Sequence, residues 1–276
     1  MNDPQLPQAP PPKKRQSRLP WFWLVLVLFL ALLLTWLSLT PPGFLGKLDA
    51  IGYAVCHRIA ARSFHIHDRQ VPLCARCTGM YLGSSFGLIY QFLQGKKGKY
   101  PPIWMIILLG LFVVAFGIDG ANSYLHFFPA LDGLYEPQNW SRLVTGMGMG
   151  LAMSAAVVPA FHQTVWKDWR DESPFKTLKQ AALFILLAAG LVLLTLTENI
   201  WVIFPVALIS ALGVYTLLVM IYTIAIVMLM KKDNAYSKLS EMKLPLLIGA
   251  LLALAQIALF DLARYLWTGT WLGFNL

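Results

Sequence analysis

Runs of apolar residues recur along the chain at 21–39, 78–93, 103–118, 143–161, 178–196, 203–230 and 244–260, nearly free of charge and separated by short polar connectors. A helix rises about 1.5 Å per residue, so roughly 20 apolar residues cross the about 30 Å hydrocarbon core of a bilayer. The pattern predicts an all-α integral membrane protein, a bundle of about seven transmembrane helices within a polytopic domain over 21–276. The run at 203–230 is long enough to tilt, or to kink near Pro205. No internal repeat is evident, which weighs against a transporter built from two related halves.

Residues 1–20 are rich in proline, carry Lys13, Lys14, Arg15 and Arg18, and read as a disordered basic tail. The apolar run after them continues through bulky residues to Ser38-Leu39-Thr40-Pro41-Pro42, with no small-residue cleavage site, so it reads as an uncleaved anchor. Between the first two spans, 40–77 is expected to form an extramembrane loop.

Hydrophobic residues make up 58% of the chain, which excludes an ordinary soluble domain. The net charge of +9 invites a nucleic-acid reading, but the basic residues lie in short groups between apolar runs, where they orient helices. A cytoplasmic N-terminus puts fifteen of the 22 Lys and Arg residues on the inner side. Tryptophans fall at both predicted interfaces, Trp21, Trp23, Trp104, Trp166 and Trp169 inside and Trp36, Trp140, Trp201, Trp267 and Trp271 outside. On this map the 40–77 loop faces outward, and nucleic acid is not a partner.

Chemistry concentrates in that loop. The chain has three cysteines, Cys56 near the middle of the loop and Cys74 and Cys77 at the loop's end. Pro72 is suited to open a helix, which would place Cys74 and Cys77 one turn apart on the same face of its first turn. A helix N-terminus and the adjacent Arg76 both favour thiolate. A closed zinc site takes four ligands, so the three sulfurs plus one of His57, His65 or His67 would complete it. Two further readings use the same thiols: disulfide exchange by Cys74 and Cys77, and a purely structural disulfide.

Arg58, Arg62, Arg76 and Arg142 oppose the charge bias expected of an outer face, and guanidinium groups bind phosphate or carboxylate through paired hydrogen bonds. They are candidates to hold an anionic lipid headgroup or a phosphorylated substrate, with ordinary ion pairing as the alternative. Asp119, at the end of the third span, is the candidate catalytic base or ion-pair partner, since a carboxylate at that depth needs protein, water or a cation beside it. Asp261 and Arg264, three apart, suit an ion pair along one helix. Gly79, Gly83 and Gly87 leave one side of the second span bare, and Gly146 and Gly150 repeat the spacing on the fourth, which makes the two helices candidate partners.

At CHRIAARSF and RQVPLCARCTGMYLG, within residues 50–95, the sequence resembles an uncharacterised family of predicted prokaryotic multi-pass membrane proteins with a C-H-R, R-S-F and P-L-C-A-R-C-T-G signature. Ala60 stands where that family commonly has proline. The resemblance implies a multi-pass protein of a prokaryotic plasma membrane and supplies no activity. From the residues, the expectation is an outward Cys/His zinc site beside an arginine-rich pocket, with membrane thiol–disulfide exchange, or non-enzymatic transport or lipid binding, as the alternatives.

Overall fold

The computed structural model describes residues 19–126, 128 and 133–274. The predicted tail lies outside them except for its last two positions. Among the described residues the order is α1 (Leu19–Leu39), α2 (Phe44–Val55), a small hairpin of β1 (His65–Ile66) and β2 (Arg69–Gln70), α3 (Ala75–Leu93), α4 (Ile103–Leu125), α5 (Asn139–Val165), α6 (Leu178–Leu196), α7 (Ile200–Leu229) and α8 (Lys243–Thr268). The hairpin is antiparallel, with His65 opposite Gln70 and Ile66 opposite Arg69.

Six helices are long and apolar enough to cross a membrane: α1, α4, α5, α6, α7 and α8. The second predicted span is present as α3, 19 residues long, but its glycine, serine and threonine content keeps it below that mark. The physical reason is its position. Thr78, Gly79, Gly83, Ser84, Ser85 and Gly87 of α3 are all buried, against α5 on one side and α7 on another, so it has protein for neighbours where the outer helices have lipid. In α4, by contrast, Ile103, Ile107, Leu111, Val114 and Ile118 form an exposed apolar stripe, the expected dress of a lipid-facing helix.

The glycine pairing holds. A side chain at Gly146 would meet the Arg76 carbonyl oxygen at 2.1 Å, and one at Gly150 would meet that of Met80 at 2.1 Å. From the other side, a Cβ at Gly79 would sit 2.3 Å from the Leu143 carbonyl oxygen. The backbones of α3 and α5 therefore touch along several turns, which gives van der Waals contact that bulkier residues would forbid.

Two details add to the apolar pattern. The 40–77 segment is not a plain loop: it holds α2, a 3₁₀ turn at Ala60–Arg62 and the hairpin. Twelve residues are too few for a span, so α2 left no trace in the apolar pattern. Helix α7 runs unbroken through Pro205. Its 30 residues extend about 45 Å, more than the about 30 Å of hydrocarbon, so the excess is taken up by tilt or by emergence.

At the opposite end from the cysteines the connectors clamp together through Arg170 N–H to Lys96 O, Gly98 N–H to Arg170 O and Lys167 N–H to Tyr236 O, at 2.8, 2.9 and 2.8 Å. His162 is buried there, against the Lys97 carbonyl at 2.9 Å, well away from the sulfur site.

A Gly146→Val substitution should force α3 and α5 apart and cost about 1–3 kcal/mol, the range for overpacking a filled core. Gly110→Val on α4, where nothing lies within 4 Å, is the control and should leave stability nearly unchanged. Thermal unfolding midpoints of the two variants in one detergent measure the contrast.

Candidate metal centre and arginine cluster

Two helix ends bring the thiols together. Cys56 caps the C-terminus of α2, its N–H bonded to Gly52 O at 2.9 Å. Cys74 is the N-cap of α3, and its carbonyl accepts the Thr78 N–H at 2.8 Å. Cys77 stands one turn further on. The proline expected to open α3 instead lies just ahead of it, and its role is spatial: Gly52 packs so closely on Pro72 that a Cβ would come 1.9 Å from the Pro72 carbonyl oxygen. That contact seats the end of α2 on the start of α3, and so places Cys56 beside Cys74.

The result is a compact group. The Sγ atoms of Cys56, Cys74 and Cys77 lie within 4.8 Å of one another, and all three are free thiols, so the structural disulfide is not formed. The backbone N–H groups of Arg58 and Cys74 point at Cys56 Sγ, at 3.4 and 3.3 Å. Leu73, Val214, Tyr81 and Leu218 wall the sulfurs with apolar surface. Hydrogen bonds from the Cys56 and Cys77 thiols hold the Cys74 thiol well below its usual range, with Arg76 adding a smaller pull. The Cys56 thiol, on the other end of its bond to Cys74 and buried, is pushed up to about 12.

No histidine joins the sulfurs. His57, His65 and His67 are all exposed, and among the described residues the ligand group contains cysteine alone. His57 stacks near Phe274, ring centres 5.9 Å apart, and His65 and His67 belong to the hairpin and its turn.

The arginines divide into two sets. Arg58 is buried, at left-handed φ 54, and pairs with Asp49 at 2.9 Å while donating to Trp271 O at 3.3 Å. Arg69 takes the other Asp49 oxygen at 2.5 Å. Arg58 thus ties the loop to α2 and the C-terminal segment. Arg62, Arg76 and Arg142 instead lie close enough to feel one another's charge, and Arg62 and Arg142 both feel Cys74. Arg142 is 5% exposed, donates to Asn139 Oδ1 at 3.1 Å, and keeps a buried Nε with no partner among the described residues.

Asp119 holds this second set in place. Arg76 grips the carboxylate through Nε at 2.9 Å and also through Nη2, and donates to the Asp119 carbonyl at 2.8 Å and Ser123 Oγ at 2.7 Å. Tyr135 donates to the remaining oxygen at 2.7 Å. Both carboxylate oxygens accept hydrogen bonds, which makes Asp119 the ion-pair partner of Arg76.

Arg264 is the residue that sequence reasoning misassigned. It forms no ion pair with Asp261, but donates to the carbonyls of Tyr53, Cys56 and His57 at 2.7, 2.5 and 3.1 Å, with its guanidinium 3.9 Å from the Tyr53 ring centre. These are the orphan acceptors at the end of α2, where a cation is favoured. Local spacing gave no signal for a partner 208 residues away, and Tyr135 was missed for the same reason.

Comparison with known proteins agrees with this geography. A family described as "Predicted membrane protein (DUF2085)" matches residues 56–156, the segment from Cys56 through α3 and α4 into α5. An uncharacterized protein of Methanothermobacter thermautotrophicus is 36% identical over 106 residues, 38% of this chain and 86% of that protein. One from Methanocaldococcus jannaschii is 29% identical over 125 residues, 45% of this chain and 74% of its own length. No solved structure matches. With its cysteine loop and the helices beside it inside the matched segment, the chain belongs to the DUF2085 family of predicted membrane proteins.

Proposed function

We propose that Cys56, Cys74 and Cys77 hold a zinc ion on the exoplasmic side of a prokaryotic plasma membrane, next to an anion-binding cluster of Arg62, Arg76 and Arg142. The observation that carries the reading is the convergence of three free sulfurs, within 4.8 Å, from two helix ends. Zinc–sulfur bonds of about 2.3 Å in a tetrahedral site put sulfurs about 3.8 Å apart, a small adjustment from this arrangement. The donor set fits: soft thiolates suit zinc, and two N–H groups already support charge on Cys56. Three protein ligands leave one coordination position for water or a substrate atom, and a zinc ion there supplies Lewis-acid polarisation or a more acidic water.

The chain's own side chains set the surroundings. Arg142 turns a buried, unpartnered Nε toward no protein acceptor, and Arg76, locked by Asp119 and Tyr135, cannot swing away. The unpartnered Arg142 Nε, close to the Arg76 and Arg62 charges and to Cys74, is the group that favours an anion here. A phosphate or carboxylate is the complement, donated by an anionic lipid or a phosphorylated substrate. Asp119 is a positioning residue in this scheme. The outward placement rests on the distribution of Lys and Arg between the two sides.

Protein purified without chelator should carry about one zinc per chain by elemental analysis, and Cys56→Ser, Cys74→Ser and Cys77→Ser should each fall close to zero. A metal-free protein in which Cys74 and Cys77 form a reducible bond would replace this reading with thiol–disulfide exchange. Arg142→Gln should weaken binding of inorganic phosphate by roughly 10- to 100-fold, the size of a lost charge-assisted hydrogen bond, with metal content retained; isothermal titration reads the difference. His65→Cys, at the exposed hairpin, should react with a membrane-impermeant maleimide in intact cells. Labelling only after lysis would place the loop in the cytoplasm.

A further inference from the structure

A second site lies apart from the sulfurs, between α1 and α8. There a groove of about 650 Å³ is walled by Leu32, Leu39, Ala258, Leu262, Leu266 and Trp271, with Trp36 and Asp261 also facing it. Its walls are open to lipid: Leu39, Leu262 and Leu266 are exposed on helices that cross the membrane. Volume and apolar lining are those of a small-molecule site.

The informative group is Asp261. It is 2% exposed, on a membrane helix, and its Oδ2 accepts the Trp36 indole N–H at 2.9 Å. Oδ1 is equally buried and has no hydrogen-bond partner among the described residues. The obvious cation, Arg264, one turn along, is committed to the α2 carbonyls. A buried carboxylate oxygen left bare is costly, the more so within hydrocarbon, and such residues face partners. Thr35 of α1 and Thr40 just past it, which also line the groove, spend their hydroxyl protons on Ala31 O and Trp36 O.

We propose that this groove binds an amphiphile with a long hydrocarbon chain and one O–H or N–H donor at its head, the chain lying along α1 and α8 and the donor bonded to Asp261 Oδ1. Apolar walls select the chain, and the single unpaired acceptor selects the head. A diacyl phospholipid head without such a donor gains nothing there. Ligand access needs no opening of the bundle, because the groove faces the bilayer. The site is independent of the metal reading and stands or falls without it.

The test uses the full chain in phosphatidylcholine nanodiscs with three diazirine-bearing C16 probes: the alcohol, the primary amine and the alcohol's methyl ether. Either donor probe should label peptides of α1 and α8 saturably, at least tenfold more than the ether, and which of the two does so tells a neutral head from a cationic one. Asp261→Leu should remove that tenfold preference, and Ala258→Trp, which fills the groove with Asp261 intact, should abolish labelling by all three. Equal labelling by the ether, or donor labelling unchanged in both variants, overturns the proposal. So does a cross-link joining two chains through this face. Ala258→Trp decides the matter if Asp261→Leu fails to give a monodisperse protein.

Discussion

Contact between the bare backbones of α3 and α5 governs everything at the sulfur end of this molecule. Because Gly79, Gly83, Gly146 and Gly150 carry no side chains, the first turn of α3 is pinned against α5 at the level of Arg76 and Gly146. Arg142 sits one turn earlier on α5, and α4 brings Asp119 to Arg76. With the helices a side chain's width further apart, the arginine cluster and the two cysteines of α3 would belong to different surfaces. The cost of this intimacy is a helix too polar to face lipid, and the remaining helices supply the cover.

Much of this was readable from residue order alone. The three cysteines, the four-residue glycine spacing and the apolar runs each state a local geometry that survives any tertiary arrangement: one helix turn, one bare face, one bilayer crossing. What could not be read depends on contacts between distant segments. A histidine beside a cysteine in sequence suggests a ligand, yet the chain at Arg58 takes a left-handed conformation and His57 points to Phe274 at the surface. Arg58 carries the same charge as Arg62 but answers to Asp49, which the turn-by-turn pattern of α2 alone puts in reach. Arg264 looked like the partner of Asp261 because helical spacing is the one relation sequence shows directly, and three carbonyls at the end of α2 outbid it.

The matched family segment ends within α5, but the site does not. Val214 and Leu218 of α7 wall the sulfurs, and α8 supplies the guanidinium that holds the Cys56 carbonyl. The two archaeal relatives match this chain over 86% and 74% of their own length. In this protein α7 and α8 therefore act as a brace on the sulfur site, with α8 steadying the backbone at Cys56.

That brace has a bearing on biosynthesis. Arg264 follows Cys56 by 208 residues, so it leaves the ribosome well after α2 and α3 have been made. Until then the carbonyls that close α2 have only water or lipid headgroups to answer them, and the loop bearing Cys56 lacks its anchor. Closure of the C-terminal end of α2 in this way waits on the synthesis of α8.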